Sequence, residues 1–169
     1  MKQFENLIIG FGKGGKTIAG ALAAKGESTA IIEKSSAMYG GTCINVACIP
    51  TKSLEHSARL SAAQGGNFTE KSARYSQAVA EKRRLTSMLR GKNYDKAVSA
   101  GVTVIDGDAS FTGKNTVAVK KADGTTEEFE AKRIFINTGS VPFVPPIEGI
   151  SESKHVYLSE TMMENSLLP

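Results

Sequence analysis

The two cysteines of this chain lie close together, in the stretch 40–52 that reads GGTCINVACIPTK. Four residues separate Cys43 from Cys48, and a Pro-Thr-Lys sequence ending at Lys52 follows. Two thiols at this spacing could cycle between a dithiol and a disulfide. The competing interpretations are two small buried hydrophobes or a metal site, but two thiolates provide too few ligands for zinc. The flanking glycines, proline and lysine favour redox chemistry.

The spacing of the cysteines constrains the backbone between them. On a regular helix, residues five apart have Cα atoms roughly 8–9 Å apart, beyond the ~7 Å limit for a disulfide. A disulfide therefore requires the chain to leave the helical path. Ile49 precedes Pro50 and is biased away from the helical region, whereas Pro50 suits the first turn of a helix. Cys48 would then lie just ahead of a helix N-terminus, near Lys52, where a thiolate is favoured.

A second pattern lies near the N-terminus. Three glycines have the spacing G-x-G-x-x-G: Gly10, Gly12 and Gly15. They follow an apolar strand predicted over 4–9 and precede an alanine-rich helix over 17–25, a strand over 28–32 and Glu33. In this order the pattern predicts a dinucleotide site. The glycines permit the turn and the close approach of the pyrophosphate, and the carboxylate accepts hydrogen bonds from the ribose hydroxyls. A carboxylate at position 33 disfavours a 2′-phosphate, which leaves FAD or NAD.

The rest of the chain predicts an alternation of helices and strands. The predicted elements are a helix over 52–64, a long polar helical region over 69–100, a strand over 101–106, a hairpin with strands at 116–119 and 126–130 around an Asp-Gly turn, and an apolar strand over 133–137. This order predicts an α/β fold: a doubly wound, mostly parallel sheet of the Rossmann type with a small antiparallel β-meander.

Composition narrows the class of protein. The 169 residues carry 40% hydrophobic and 22% charged residues, as in ordinary globular domains. No run approaches the ~18 apolar residues of a membrane span, and the N-terminus is expected to be a first strand rather than a signal peptide. The net charge is +4, and much of the excess of basic residues lies between Lys71 and Lys96. Because no nucleic-acid motif accompanies them, a solvated helix face is favoured over a nucleic-acid surface. The isolated His56 is interpreted as a surface or packing residue.

The stretch 40–52 resembles the active-site segment of the class I flavoprotein disulfide reductases, or pyridine nucleotide-disulfide oxidoreductases. This family includes dihydrolipoamide dehydrogenase, glutathione reductase and mercuric reductase. The Cys-Ile-Asn run and the Pro-Thr-Lys ending are most similar to the bacterial branch linked to resistance against reactive chlorine species and hypothiocyanous acid. Ala47 departs from the pattern, because most members have glycine there. The G-x-A-x-F pattern of 107–111 and the segment TGSVPFVPPIEG of 138–149 resemble two flavin-domain patterns.

The resemblance implies FAD at the first site and NADPH or NADH as the source of electrons. It implies that Cys43 and Cys48 form the redox disulfide, with Cys48 nearer the flavin and Cys43 attacking a small-molecule or oxidised thiol or disulfide substrate. Lys52 is implied to lie against the flavin ring. The residues implied to hold FAD are Gly10, Gly12, Gly15, Glu33, Lys34, Gly41, Thr42, Lys52, Ala109, Thr138 and Gly139. No metal site is implied.

The resemblance also implies an FAD-binding domain over 1–150 and a linker over 151–169 toward an NAD(P)H-binding domain, for which the chain has no second G-x-G-x-x-G. The intact enzyme is implied to be a cytoplasmic homodimer that serves cell redox homeostasis, with no nucleic-acid or membrane partner. Two close cysteines without a secretion signal agree with a reducing cytoplasm. The alternative is a fragment that binds FAD without turnover.

Overall fold

Six strands form one sheet in the computed structural model, which describes residues 1–168. The strands are β1 (Lys2–Ile9), β2 (Thr29–Glu33), β3 (Thr103–Asp106), β4 (Asp108–Phe111), β5 (Thr116–Lys120) and β6 (Thr126–Ile136). Their order across the sheet is β3-β2-β1-β6-β5-β4. The first four of these are mutually parallel, and β5 and β4 add an antiparallel part. The predicted doubly wound, mostly parallel sheet with an antiparallel meander is confirmed.

Helices connect β1 to β2 and β2 to β3, and a short helix follows β6. They are α1 (Lys13–Ala23), α2 (Thr42–Asn45), α3 (Cys48–Gln64), α4 (Phe68–Ser99) and α5 (Ser159–Met162), with a short 3-10 turn at Ser36–Met38. The long predicted helix agrees with α4, and Gly91 does not interrupt it. The start of α1 was predicted too late, because the helix begins within the glycine loop at Lys13. Gly12 has an extended backbone, with φ −77° and ψ −174°, and the helix follows it directly.

The predicted separation of the second hairpin strand from the apolar strand at 133–137 is wrong. Both are parts of the eleven-residue strand β6. Residues 126–130 pair with β5, where Phe129 lies opposite Val117, and residues 129–136 pair with β1, where Ile134 lies opposite Leu7. One strand therefore joins the parallel and antiparallel parts of the sheet, since neither neighbour requires it to end.

The sheet separates two apolar clusters. Alternate residues of a strand face opposite sides, so Leu7 and Ile8 of β1 belong to different clusters. The cluster on one face contains Leu7, Ala30, Ile32, Ile105, Val117, Val119, Phe129 and Ala131. The cluster on the other contains Ile8, Phe11, Ala19, Ile31, Tyr39, Ala97 and Val102. The second cluster packs α1 and the end of α4 against the sheet, which fixes the start of α1 at the carboxyl end of β1.

The chain divides into two compact units. The first contains 1–45 and 87–139, and the second contains 46–86 and the chain from Ser140 onward. The sheet and α1 belong to the first unit, and α3 and α5 to the second. The predicted domain boundary at 150 stays a prediction, and Pro169, the end of the predicted linker, lies outside the described residues. Within 1–168, no helix combines the length and the apolar character needed to cross a membrane.

Candidate active site

The loop between β1 and α1 carries the G-x-G-x-x-G pattern and is called the fingerprint loop below. Its backbone has the conformation that this pattern requires. Gly10 has φ +106°, and a Cβ there would lie 2.2 Å from the carbonyl oxygen of Asn137. A Cβ on Gly15 would lie 2.3 Å from the oxygen of Gly10. No side chain within 1–168 caps the helix at Gly12, so the first-turn N–H groups of α1 are available to an anion.

A cavity of about 170 Å³ lies at the carboxyl ends of β1 and β2. Its lining residues are Ile9, Gly10, Ile32, Glu33, Lys34, Gly107, Asp108, Ala109 and Thr138. Residues predicted to hold FAD are well represented in this set: Gly10, Glu33, Lys34, Ala109 and Thr138. Gly139, which follows with φ +74°, is not among the lining residues. A crevice at the carboxyl ends of parallel strands is where doubly wound folds bind their ligands.

The carboxylate of Glu33 holds the loop between β1 and α1 in place. Its Oε2 accepts from the backbone N–H of Phe11 at 2.9 Å, and its Oε1 accepts from the N–H of Ser35 at 3.2 Å. The side chain also lines the cavity. Glu33 therefore holds two loops together and keeps a carboxylate at the cavity wall.

The segment that leads to Cys43 is attached to the start of α1. The N–H of Gly40 donates to the oxygen of Phe11 at 3.0 Å. Gly41 has φ +82°, and a Cβ there would lie 2.6 Å from the Cα of Gly12. Because Gly41 packs this closely, Thr42 and Cys43 follow immediately beside the first turn of α1, and both are exposed.

Tyr39 fixes the other end of this segment. Its hydroxyl donates to Oδ1 of Asp106 at 2.6 Å, at the end of β3. Its ring lies between Phe11 and Tyr94, with centroids 5.1 and 5.3 Å away. Burial raises the pKa of Tyr39, and the hydrogen bond to Asp106 raises it further. The side chain therefore remains a hydroxyl donor throughout the neutral range.

The backbone leaves the helical path between the cysteines, as predicted. Helix α2 ends at Asn45, and Ala47 has φ −136° and ψ −99°. However, α3 begins at Cys48 rather than at the predicted 52, and Ile49 is helical although it precedes a proline. Pro50 is the third residue of α3, where a missing N–H costs no intrahelical bond, so the helix accommodates it.

The predicted catalytic residues are divided between the two units. Cys43 belongs to the first unit, and Cys48 and Lys52 belong to the second, on α3. Both cysteines are exposed thiols. The Cys43–Cys48 disulfide stays a prediction.

Two asparagines near the candidate site were not predicted. Asn137 donates from Nδ2 to the oxygen of Gly10 at 3.4 Å, and its side chain lies against Gly14 and Gly15. Asn45 donates from Nδ2 to the oxygens of Tyr39 and Gly41, at 3.1 and 2.9 Å. The sequence offered only their positions as a signal. Asn137 lies at the end of the strand predicted over 133–137, and Asn45 lies between the two cysteines.

Comparison with known proteins shows consistent similarities. The profile of the family described as pyridine nucleotide-disulphide oxidoreductase matches residues 4–168. The probable pyridine nucleotide-disulfide oxidoreductase RclA of Escherichia coli (strain K12) is 41% identical over 170 residues, which cover 100% of this chain and 36% of the relative. The mitochondrial dihydrolipoyl dehydrogenase of Sus scrofa is 36% identical, over 91% of this chain and 31% of its own length.

A solved structure of similar shape is the Cu(II) complex of the HOCl-induced flavoprotein disulfide reductase RclA from Escherichia coli. It superposes with a TM-score of 0.87 at 41% identity, over 100% of this chain and 36% of that one. The chain thus spans about a third of the length of these relatives.

Proposed function

The chain belongs to the pyridine nucleotide-disulphide oxidoreductase family, and on that premise we propose that it is the FAD-binding part of an NAD(P)H-dependent flavoprotein disulfide reductase. Its redox pair is Cys43 and Cys48. The FAD-binding domain extends over 1–150, and residues 151–169 lead toward an NAD(P)H-binding domain. The names of the relatives, which describe disulfide oxidoreductases and a flavoprotein disulfide reductase, support the class of reaction.

The observation that carries the proposal is the composition of the cavity at the carboxyl ends of β1 and β2. Residues from separate parts of the chain meet there, and the predicted FAD ligands Gly10, Glu33, Lys34, Ala109 and Thr138 are among them. Glu33 offers a carboxylate to ribose hydroxyls, and the start of α1 offers N–H groups to a pyrophosphate. The glycines leave the space that a Cβ would fill. The residues present therefore fit the adenosine and pyrophosphate of FAD.

When bound, FAD would supply the two-electron transfer from NAD(P)H to the Cys43–Cys48 disulfide. The remaining chemistry belongs to the thiols. The Cys43 thiolate attacks one sulfur of an oxidised substrate R–S–S–R, which forms Cys43–S–S–R and releases RS⁻. Cys48 then attacks the sulfur of Cys43, which releases the second RS⁻ and restores the disulfide. Two electrons leave the dithiol, and two enter the substrate.

The substrate class follows from this chemistry as a small molecule with an oxidised thiol or disulfide sulfur. Lys52, four residues after Cys48 on α3, is proposed to favour negative charge on the reduced cofactor. We include a cytoplasmic homodimer in the proposal. Within 1–168, no group of three or more His, Cys, Asp or Glu side chains is arranged to hold a metal ion.

Titration of FAD into the purified chain, followed by flavin fluorescence, tests the cofactor assignment. The substitution Glu33→Ala removes a charge-assisted partner worth about 1.5–3 kcal/mol, so affinity should fall by about tenfold or more. The matched control is Glu128→Ala, which removes an exposed carboxylate from β6. Equal FAD affinity in Glu33→Ala and Glu128→Ala would contradict the assignment.

A further inference from the structure

The segment that carries Cys43 is attached to the start of α1, the helix that carries Lys16, and Lys16 has no role in the reaction proposed above. The Gly40–Gly41 turn is attached to Phe11 and Gly12, so Cys43 sits next to the first turn of α1. Lys16 is on that helix, three residues after its first residue, Lys13. Both Lys16 and Cys43 belong to the first unit.

The ammonium of Lys16 is held toward this turn by Asn93. Its Nζ donates to Oδ1 of Asn93 at 2.5 Å. Asn93 in turn donates from Nδ2 to the oxygen of Leu89 at 2.7 Å, which fixes the direction of its amide. The Cγ of Asn93 lies only 3.1 Å from the position of a Cβ on Gly40. Lys16 is thereby anchored at the base of the segment that carries Cys43, rather than extended into solvent.

The charges around Lys16 come from three elements. Lys13 on α1 and Lys96 on α4 line the same cleft as Lys16, of about 400 Å³, and Cys43 on α2 acts on Lys16 electrostatically. Burial lowers the pKa of Lys16, the neighbouring Lys13 and Lys96 lower it further, and negative charge on Cys43 raises it. A Coulomb interaction acts equally on both partners, so the Lys16 cation favours the thiolate of Cys43.

We propose that Lys16, anchored by Asn93, is a positioning residue that keeps Cys43 in its thiolate form and so prepares it to attack the oxidised substrate. This inference rests on the proposed function, because it assumes that Cys43 is the attacking thiol. Helix α2 has four residues, too few for a strong field at its N-terminus, so the cation of Lys16 adds a stabilisation that α2 itself does not provide. The thiolate rather than the thiol is the nucleophile, so its population sets the rate of attack.

The pH dependence of Cys43 alkylation tests this inference without requiring FAD or turnover. The reduced chain carrying Cys48→Ser is treated with iodoacetamide, so that only Cys43 reacts. Lys16→Gln should move the midpoint of the rate profile upward by roughly 0.5–1 pH unit, which slows alkylation at about pH 7 by about three- to tenfold. Lys16→Arg keeps the cation and should keep the midpoint near that of the parent.

Lys25→Gln is the matched control, because it removes the same charge from an exposed lysine just beyond α1. It should leave the midpoint unchanged. Equal midpoints in Lys16→Gln and Lys25→Gln would overturn the inference, as would a midpoint in Lys16→Arg that matches Lys16→Gln. Neither result would contradict the proposed function, because the FAD titration and the redox state of the cysteines test that function separately.

Discussion

At the scale of single residues, Tyr39 connects the segment before Cys43 to the sheet. Its hydroxyl binds Asp106 and its ring packs on Phe11 and Tyr94, so one side chain joins β3, the fingerprint loop and α4. Tyr39→Phe keeps the ring and removes the hydroxyl. Since the acceptor is an exposed carboxylate, we expect a loss of about 1 kcal/mol in the free energy of unfolding, measured by urea denaturation.

Tyr94→Phe is the control for this experiment. Tyr94 stacks on the same ring but is more exposed, so loss of its hydroxyl should change stability by a few tenths of a kcal/mol at most. Equal losses in the two variants would show that the bond to Asp106 does not anchor the segment.

The residues in and around the candidate site differ in how far the sequence could reveal them. Glu33, Ala109 and Thr138 could be predicted because each belongs to a short pattern with its own spacing. Asn137 and Lys16 could not, because their partners Gly10 and Asn93 lie 127 and 77 residues away in the chain. Such contacts depend on which strands and helices become neighbours, and no local pattern records that.

At the scale of the elements, α1 contains two glycines in very different surroundings. A Cβ on Gly15 would lie 2.3 Å from the oxygen of Gly10 and 2.9 Å from Nδ2 of Asn137, whereas a Cβ on Gly20 would meet nothing within 4 Å. Gly15→Ala should therefore destabilise the chain by about 1–3 kcal/mol. Gly20→Ala should stabilise it by about 0.5–1 kcal/mol, because alanine is the better helix former.

Urea denaturation of the two variants compares the same substitution in one helix. Changes of opposite sign in the free energy of unfolding would support close packing of α1 on the fingerprint loop. A stabilising effect of Gly15→Ala would mean that the loop has room to move and that glycine is not needed at position 15 for close packing.

The boundaries of elements were predicted less well than their order. Helix α3 includes Ile49 and begins at Cys48, because a proline in the first turn removes no intrahelical bond. Strand β6 runs through 126–136 without a break, because it changes partner along its length. The first error overestimated the local bias of Ile49 against helix. The second treated a local change of pattern as the end of a strand that continues through its pairing with β1.

In the second unit, an ion-pair cluster holds the C-terminal segment to α4. Lys82, which is 1% exposed, donates to the oxygen of Met163 at 2.9 Å and pairs with Glu164. Arg83 donates from Nε to Oε2 of Glu164 at 2.7 Å. Burial raises the pKa of Glu164, but the hydrogen bonds from Lys82 and Arg83 outweigh it and hold that pKa below its ordinary value.

A depressed carboxyl pKa stabilises the fold above the unfolded-state pKa of about 4.3, and this contribution is lost as the pH falls below it. Glu164→Gln should therefore cost up to about 1 kcal/mol near pH 7, since the side chain is half exposed, and the cost should shrink below about pH 4.3. Urea denaturation across this range measures it. The exposed Glu152→Gln is the control, and a cost of Glu164→Gln that does not depend on pH would argue against the ion pair.

At the scale of the whole molecule, the chain corresponds to about a third of each relative. It contains one G-x-G-x-x-G, which the proposal assigns to FAD. We therefore expect the 169-residue chain alone to hold FAD weakly and to show no NAD(P)H-driven reduction of a chromogenic aryl disulfide. Turnover that depends on Cys43 would show that the chain is sufficient for the reaction.

The central claim is that Cys43 and Cys48 form a reversible disulfide within one chain. Both lie in the single tryptic peptide 35–52, because the flanking cleavage sites are Lys34 and Lys52. After mild oxidation and alkylation without reductant, mass spectrometry should find this peptide unalkylated and lighter by two hydrogens than the dithiol form. Prior reduction should restore two alkylation sites. Two alkylated cysteines after oxidation, or a link between two copies of the peptide, would contradict the account.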